Sequence, residues 1–187
     1  MKLSLALSTL AAFAQLASPS RAAEPSANMR MVRACISAAA EVHRLPPSML
    51  VILLKVEGGS LGAVSQNTND TVDLGPMQVN QIWVPQVAAH WHATQAATYR
   101  ALRDNFCANV EAGAWILRKG LDEARGDFWE GVGYYHSHNP VHKNTYLRLV
   151  LKQALALQER AAPTAARPVA RPAAARPAGS AVLAARD

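Results

Sequence analysis

The sequence predicts a mainly helical fold that carries one small β-hairpin. Three observations predict it. Residues 48–57, from Ser48 to Glu57, are apolar nearly all round, which suits a buried helix. Val110, Ala114, Leu117 and Leu121 recur at helical spacing, and 141–157 has the same amphipathic pattern. Gln66-Asn67-Thr68-Asn69-Asp70-Thr71 is turn chemistry, and it leads into a short strand candidate, Thr71-Val72-Asp73-Leu74.

Taken from the start, residues 1–22 read as a signal peptide. Lys2 is the positive head, Leu3 to Leu16 is the apolar run, and Ser20-Arg21-Ala22 supplies the small residues of a cleavage site. The alternative is an uncleaved anchor, but a membrane span needs about 20 apolar residues. No later segment is long and apolar enough to cross a bilayer. The expected mature protein is therefore soluble, periplasmic or secreted, with no stable membrane insertion after cleavage.

A single domain over 28–158 follows. Half of the 187 residues are hydrophobic, enough to bury a core there, and all four tryptophans fall inside it. Met29 to Val42 has helical spacing with Asn28 as the expected N-cap. Leu45-Pro46-Pro47 breaks that helix, and Pro47 suits the first turn of the next. Gly58-Gly59 ends it, as residues tolerant of left-handed backbone do. Helical pattern resumes near Gln81 and continues, with interruptions, to Leu157.

Residues 161–187 are dominated by Ala, Pro and Arg, with Arg-Pro at 167–168, 171–172 and 176–177. Proline at that density blocks helix and sheet, and little apolar bulk is left to bury. A disordered tail is expected, either an unselected spacer or a cationic arm near anionic wall polymers. Charge supports that division. Lys2 and Arg21 give the leader +2, and four arginines against Asp187 give the tail +3, so only +1 of the net +6 belongs to 24–160. A near-neutral domain is not a nucleic-acid binder on charge. Cys35 and Cys107 are the only cysteines. They either stay buried thiols or form a disulfide, which export favours. Closing that loop stabilises a fold by about 4 kcal/mol in the chain-entropy model.

Glu57 is the most informative residue. It is the single charge closing a long apolar helix. Apolar surroundings disfavour the ionised carboxyl and raise its pKa, which lets it donate a proton near neutral pH. Two glycines after it are expected to leave room for a bulky substrate. The alternative is a carboxylate that frays into solvent.

The stretch Asp73-Leu74-Gly75-Pro76-Met77-Gln78-Val79-Asn80, with Trp83 after it, resembles the active-site segment of the lysozyme-like superfamily. Glu57 followed later by Gly75-Pro76-Met77-Gln78-Val79 is similar to lytic transglycosylases. The residues from Asn69 to Asn80 are similar to the hairpin of animal c-type lysozymes, which carry an Asp where Asp73 falls. Tyr134-Tyr135-His136-Ser137 resembles the Tyr-Asn stretch of the transglycosylases, with His136 in place of Asn. Asn109 to Leu117 resembles the family helix that packs behind the site. Most members have Ser after the Glu, thought to orient the acid; here Gly58 stands there, and the orienting group is left open.

The resemblance implies a lysozyme-like fold and cleavage of the glycan strands of peptidoglycan. Glu57 and Asp73 are then the candidate catalytic residues, and Gln78, Asn80, Tyr135 and His136 the candidate substrate contacts. Gly58-Gly59, Tyr135-His136-Ser137 and the cysteine pair, the second in Phe106-Cys107-Ala108-Asn109, are similar to transglycosylases that serve type IV secretion, conjugation and pilus systems. Components of such a machine are implied partners. Asp73 separates two chemistries: facing Glu57 it permits a muramidase, and bonded to the hairpin backbone it does not. Asp70 reads as a turn residue. An inactive wall-binding or assembly protein is the reading from another class. No cofactor is expected. His90, His92, His136, His138 and His142 invite a metal, but His136 and His138 do not share a helix face and no further pair joins them, so no metal site is expected.

Overall fold

A computed structural model describes residues 26–161. The expected leader and all but the first residue of the expected tail lie outside that range. Helix α1 is Ala27–Val42, α2 is Pro47–Glu57, and three strands follow: β1 Val64–Gln66, β2 Val72–Leu74 and β3 Val79–Asn80. A short 3-10 turn at Gln81–Trp83 leads into α3 Val84–His90, α4 Gln95–Asp104, α5 Phe106–Glu123, α6 Phe128–Tyr134 and α7 Pro140–Ala161. The mainly helical expectation holds, and α7 continues beyond Leu157.

One expectation needs correction, and the expected hairpin is present with a further strand added to it. The α1 cap is Ser26, whose hydroxyl accepts from the Met29 amide at 3.3 Å; Asn28 lies inside the first turn. The hairpin is a three-stranded antiparallel meander in the order β1-β2-β3. The third strand is only Val79-Asn80, too short to alternate visibly in sequence.

The core explains both the helices and the sheet. Leu50 and Leu53 of α2, Leu74 and Met77 of the sheet region, and Val110 and Leu117 of α5 are fully buried. In β2, Val72 and Leu74 face this core while Asp73 between them faces outward, as the period of two requires. Asn109 of α5 fastens the sheet to the helices. Its Oδ1 accepts from the Met77 amide at 2.7 Å, and its Nδ2 donates to the carbonyls of Leu74 and Leu102, each at 2.8 Å. A fully buried amide with these bonds made carries no desolvation penalty from unmet donors or acceptors. Cys35 and Cys107 form a disulfide between α1 and α5, with Cα atoms 5.0 Å apart. No helix among the described residues is long and apolar enough to cross a membrane.

Candidate active site

A cleft of about 690 Å³ opens between the end of α2, the sheet, and the segment joining α6 to α7. Glu57, Asp73, Gln78, Asn80, Tyr135 and His136 all line it. The six positions expected from sequence to act on substrate therefore come together at one place, from four separate segments of the chain.

Glu57 sits where α2 stops. Gly58 adopts φ 64° and its amide closes the last turn on the Leu54 carbonyl at 3.2 Å, so the backbone turns away at once. Gly59 serves a different end from the one expected. A Cβ there would meet the Gln78 amide nitrogen at 2.6 Å and the Gly75 carbonyl closer still, because the turn before β3 packs directly on this position. Of the two glycines, only Gly58 has open space where a side chain would be.

The Glu57 carboxyl is pushed up from 4.5 to about 7. Burial is the largest cause; a hydrogen bond from Tyr146 pulls the other way, and the negative charge of Asp73 adds to the rise. The Tyr146 hydroxyl donates to Glu57 Oε1 at 2.7 Å. This is the orienting contact that the sequence left open. Tyr146 is buried on α7 and its phenol is held far above its ordinary pKa, first by burial and then by Glu57, so it remains a donor. The His136 ring stacks flat on Tyr146, with centroids 4.7 Å apart and planes 5° from parallel. Burial and the neighbouring His142 lower the His136 pKa, against an upward pull from Asp73. Tyr135 donates to the Met77 carbonyl at 2.9 Å and so ties the α6–α7 segment to the sheet.

The sheet wall is lined by more polar side chains, among them Asn67, Asn69, Asp73, Gln78 and Asn80. Asp73 lies opposite Asn80 in the β2–β3 register. Asn80 Nδ2 donates to Asp73 Oδ1 at 2.8 Å and to Thr71 Oγ1 at 2.9 Å, while its Oδ1 accepts from the Ile82 amide. Both amide donors of Asn80 are thus engaged within the protein, and its visible effect is to hold Asp73. Gln78 takes φ 48° and donates to the Gly75 carbonyl at 2.8 Å.

Residues 34–148, more than half the chain, match the family model of the transglycosylase SLT domain. The chain belongs to that family. The SLT domain is lysozyme-like, and its members are lytic transglycosylases that act on the glycan strands of peptidoglycan. The match runs from α1 into α7 and so encloses every residue of the cleft described above. Comparison with curated proteins gives no match to the chain.

Sequence reasoning missed Tyr146, and it considered His142 only as a metal candidate and not as a cleft residue. Tyr146 carried a usable sign: a tyrosine at the core-facing position of an amphipathic helix must find a partner for its hydroxyl. Which partner cannot be read locally, since Glu57 lies 89 positions away.

Proposed function

We propose that this protein is a peptidoglycan lytic transglycosylase that uses Glu57 as acid and then as base. The observation that carries the reading is the Glu57 carboxyl, facing a saccharide-sized cleft, with a pKa raised to about 7 and a hydrogen bond from Tyr146. A carboxyl with that pKa is substantially protonated at neutral pH and can give its proton to a leaving oxygen.

In the first step Glu57 protonates the oxygen bridging N-acetylmuramic acid and N-acetylglucosamine. The C1–O bond breaks, and positive charge develops at C1 of the muramic residue. The same carboxylate, now ionised and steadied by the Tyr146 hydroxyl, takes the proton from the sugar's own C6 hydroxyl. The C6 oxygen bonds to C1, which closes a 1,6-anhydro ring and returns the proton to Glu57. No water is consumed. Gln78, Tyr135 and His136 flank the saccharide in this reading, and Asn80 acts on it through Asp73.

One observation favours a second reading. Asp73 is near enough to raise the pKa of Glu57. Its carboxylate could stabilise or trap the cation and let water finish the reaction, as in a muramidase. Mass spectrometry of digested peptidoglycan separates the two. Anhydro-muramic ends support the transglycosylase, and reducing ends alone support the muramidase. If Glu57→Gln clears peptidoglycan as fast as the native protein, neither holds, and a wall-binding assembly role takes their place.

We further propose that the enzyme works outside the cytoplasm and opens the wall locally for a secretion or pilus machine. The support is the leader-like residues 1–22 and the resemblance carried by Gly58-Gly59, Tyr135-His136-Ser137 and the Cys35–Cys107 pair. Deleting the gene and finding secretion, conjugation and piliation all intact would remove that role while leaving the glycan chemistry untouched.

A further inference from the structure

Three residues that do not line the Glu57 cleft form a cluster that the glycan chemistry does not use. His43 follows the last residue of α1, His90 closes α3, and Glu111 lies in α5. Their ligand-bearing atoms all lie within 4.8 Å of one another. His43 Nε2 is 2.8 Å and His90 Nε2 is 3.2 Å from the same oxygen, Glu111 Oε1. These spacings approach those between neighbouring ligands of tetrahedral zinc, whose bonds run about 2.0–2.2 Å.

We infer that His43, His90 and Glu111 bind a divalent metal ion of the zinc class. The donor set is two imidazoles and a carboxylate, a combination zinc accepts with a water in the fourth position. The ligands are held in place by their surroundings. Trp91 donates its indole N–H to Glu111 Oε2 at 2.5 Å, which leaves Oε1 turned to the two histidines. The His90 ring stacks on Trp115, with centroids 4.8 Å apart and planes 13° from parallel. His43 is only 7 % exposed, so its imidazole has little freedom. On binding, the proton that each Nε2 shares with Glu111 Oε1 in the free site is released to solvent or moves to Nδ1. Each imidazole is then neutral and presents its Nε2 lone pair, and Glu111 Oε1 becomes the third ligand. The two His-to-Oε1 contacts are replaced by bonds to the ion.

Such an ion would brace three helices at one point. It would also steady the cleft from behind, because Trp115 meets the edge of Trp83, a cleft residue, with centroids 6.2 Å apart. No local motif marks this site, since its ligands come from positions 43, 90 and 111.

The test uses purified protein without a histidine tag, stripped by chelator and kept oxidised so that Cys35 and Cys107 do not compete for the ion. Zinc chloride is titrated in by calorimetry, cobalt chloride by visible absorption, and thermal melts are recorded with and without zinc. One zinc per chain, tetrahedral cobalt bands and a zinc-dependent rise in Tm are expected. His90→Ala, a change at a partly exposed position that should leave the fold intact by circular dichroism, abolishes all three. Trp91→Phe weakens binding about 10- to 100-fold by freeing the carboxylate. His92→Asn, at an exposed neighbour, changes none of them. If the native protein binds zinc no more tightly than His90→Ala, the cluster is only a hydrogen-bonded carboxylate and the inference fails.

Discussion

The two walls of the cleft hold one carboxylate each, and they hold it differently. On the helical wall Glu57 closes an apolar helix and receives a hydrogen bond from Tyr146, and burial outweighs that bond. On the sheet wall Asp73 stands on the outer face of a strand and is tied to Asn80 among polar neighbours. The same chemical group is thus kept ready to give a proton on one side and kept hydrogen-bonded as an acceptor on the other. What separates them is the secondary structure beneath each. A buried helix brings apolar surroundings to its last residue, whereas the outer face of the small sheet brings a side-chain amide donor.

The sharpest way to break this contrast is to remove the acid. Glu57→Gln should slow release of anhydro-muropeptides by about 100- to 10,000-fold, the usual contribution of a positioned general acid. Muropeptide mass spectrometry against time checks this, and a smaller loss would move the acid elsewhere.

The next effect is on stability. The folded chain binds the Glu57 proton more tightly than the unfolded chain, whose carboxyl titrates near 4.5. The stabilisation is therefore complete below that pH, declines as pH rises towards about 7, and is flat above it. The gap corresponds to about 3 kcal/mol at most. Glu57→Gln lacks this slope, so its advantage in thermal or denaturant melts should widen between acid and mildly alkaline pH. An advantage that does not change with pH would mean that the carboxyl is not desolvated.

Tyr146→Phe comes third. Without the hydroxyl, the force that lowers the Glu57 pKa is gone, so the alkaline limb of the pH–rate profile should move to higher pH. The maximal rate should fall about 10-fold as the ionised carboxylate loses its donor. Asp73→Asn should have the smallest effect under the transglycosylase reading. The alkaline limb moves slightly to lower pH because a negative neighbour is removed, and the products remain anhydro-muropeptides. Loss of all cleavage in that variant would instead favour the muramidase.

The parts of this arrangement that were legible in sequence are those written within one segment. The bounds of α2 follow from Pro47, the apolar run and Gly58, and they match the observed Pro47–Glu57. The strand at Val72–Leu74 follows from the turn residues before it and agrees with the strand candidate at Thr71 to Leu74. The parts that were not legible depend on distant partners. Tyr146 reaches Glu57 only once α7 packs on α2, and Glu111 meets His43 and His90 only where three helices converge. Gly59 looked like space for substrate, yet the turn at Gly75 fills that space, and no local pattern reveals an approach from 16 residues away.

The most direct test of the whole account is the titration of the Glu57 carboxyl itself, followed by the carbon-13 shift of its side-chain carboxyl in the native protein. A midpoint near 7 is predicted. A midpoint near 4.5, the value of an ordinary solvated glutamate, would contradict it, because the residue would then be ionised at neutral pH and have no proton to give.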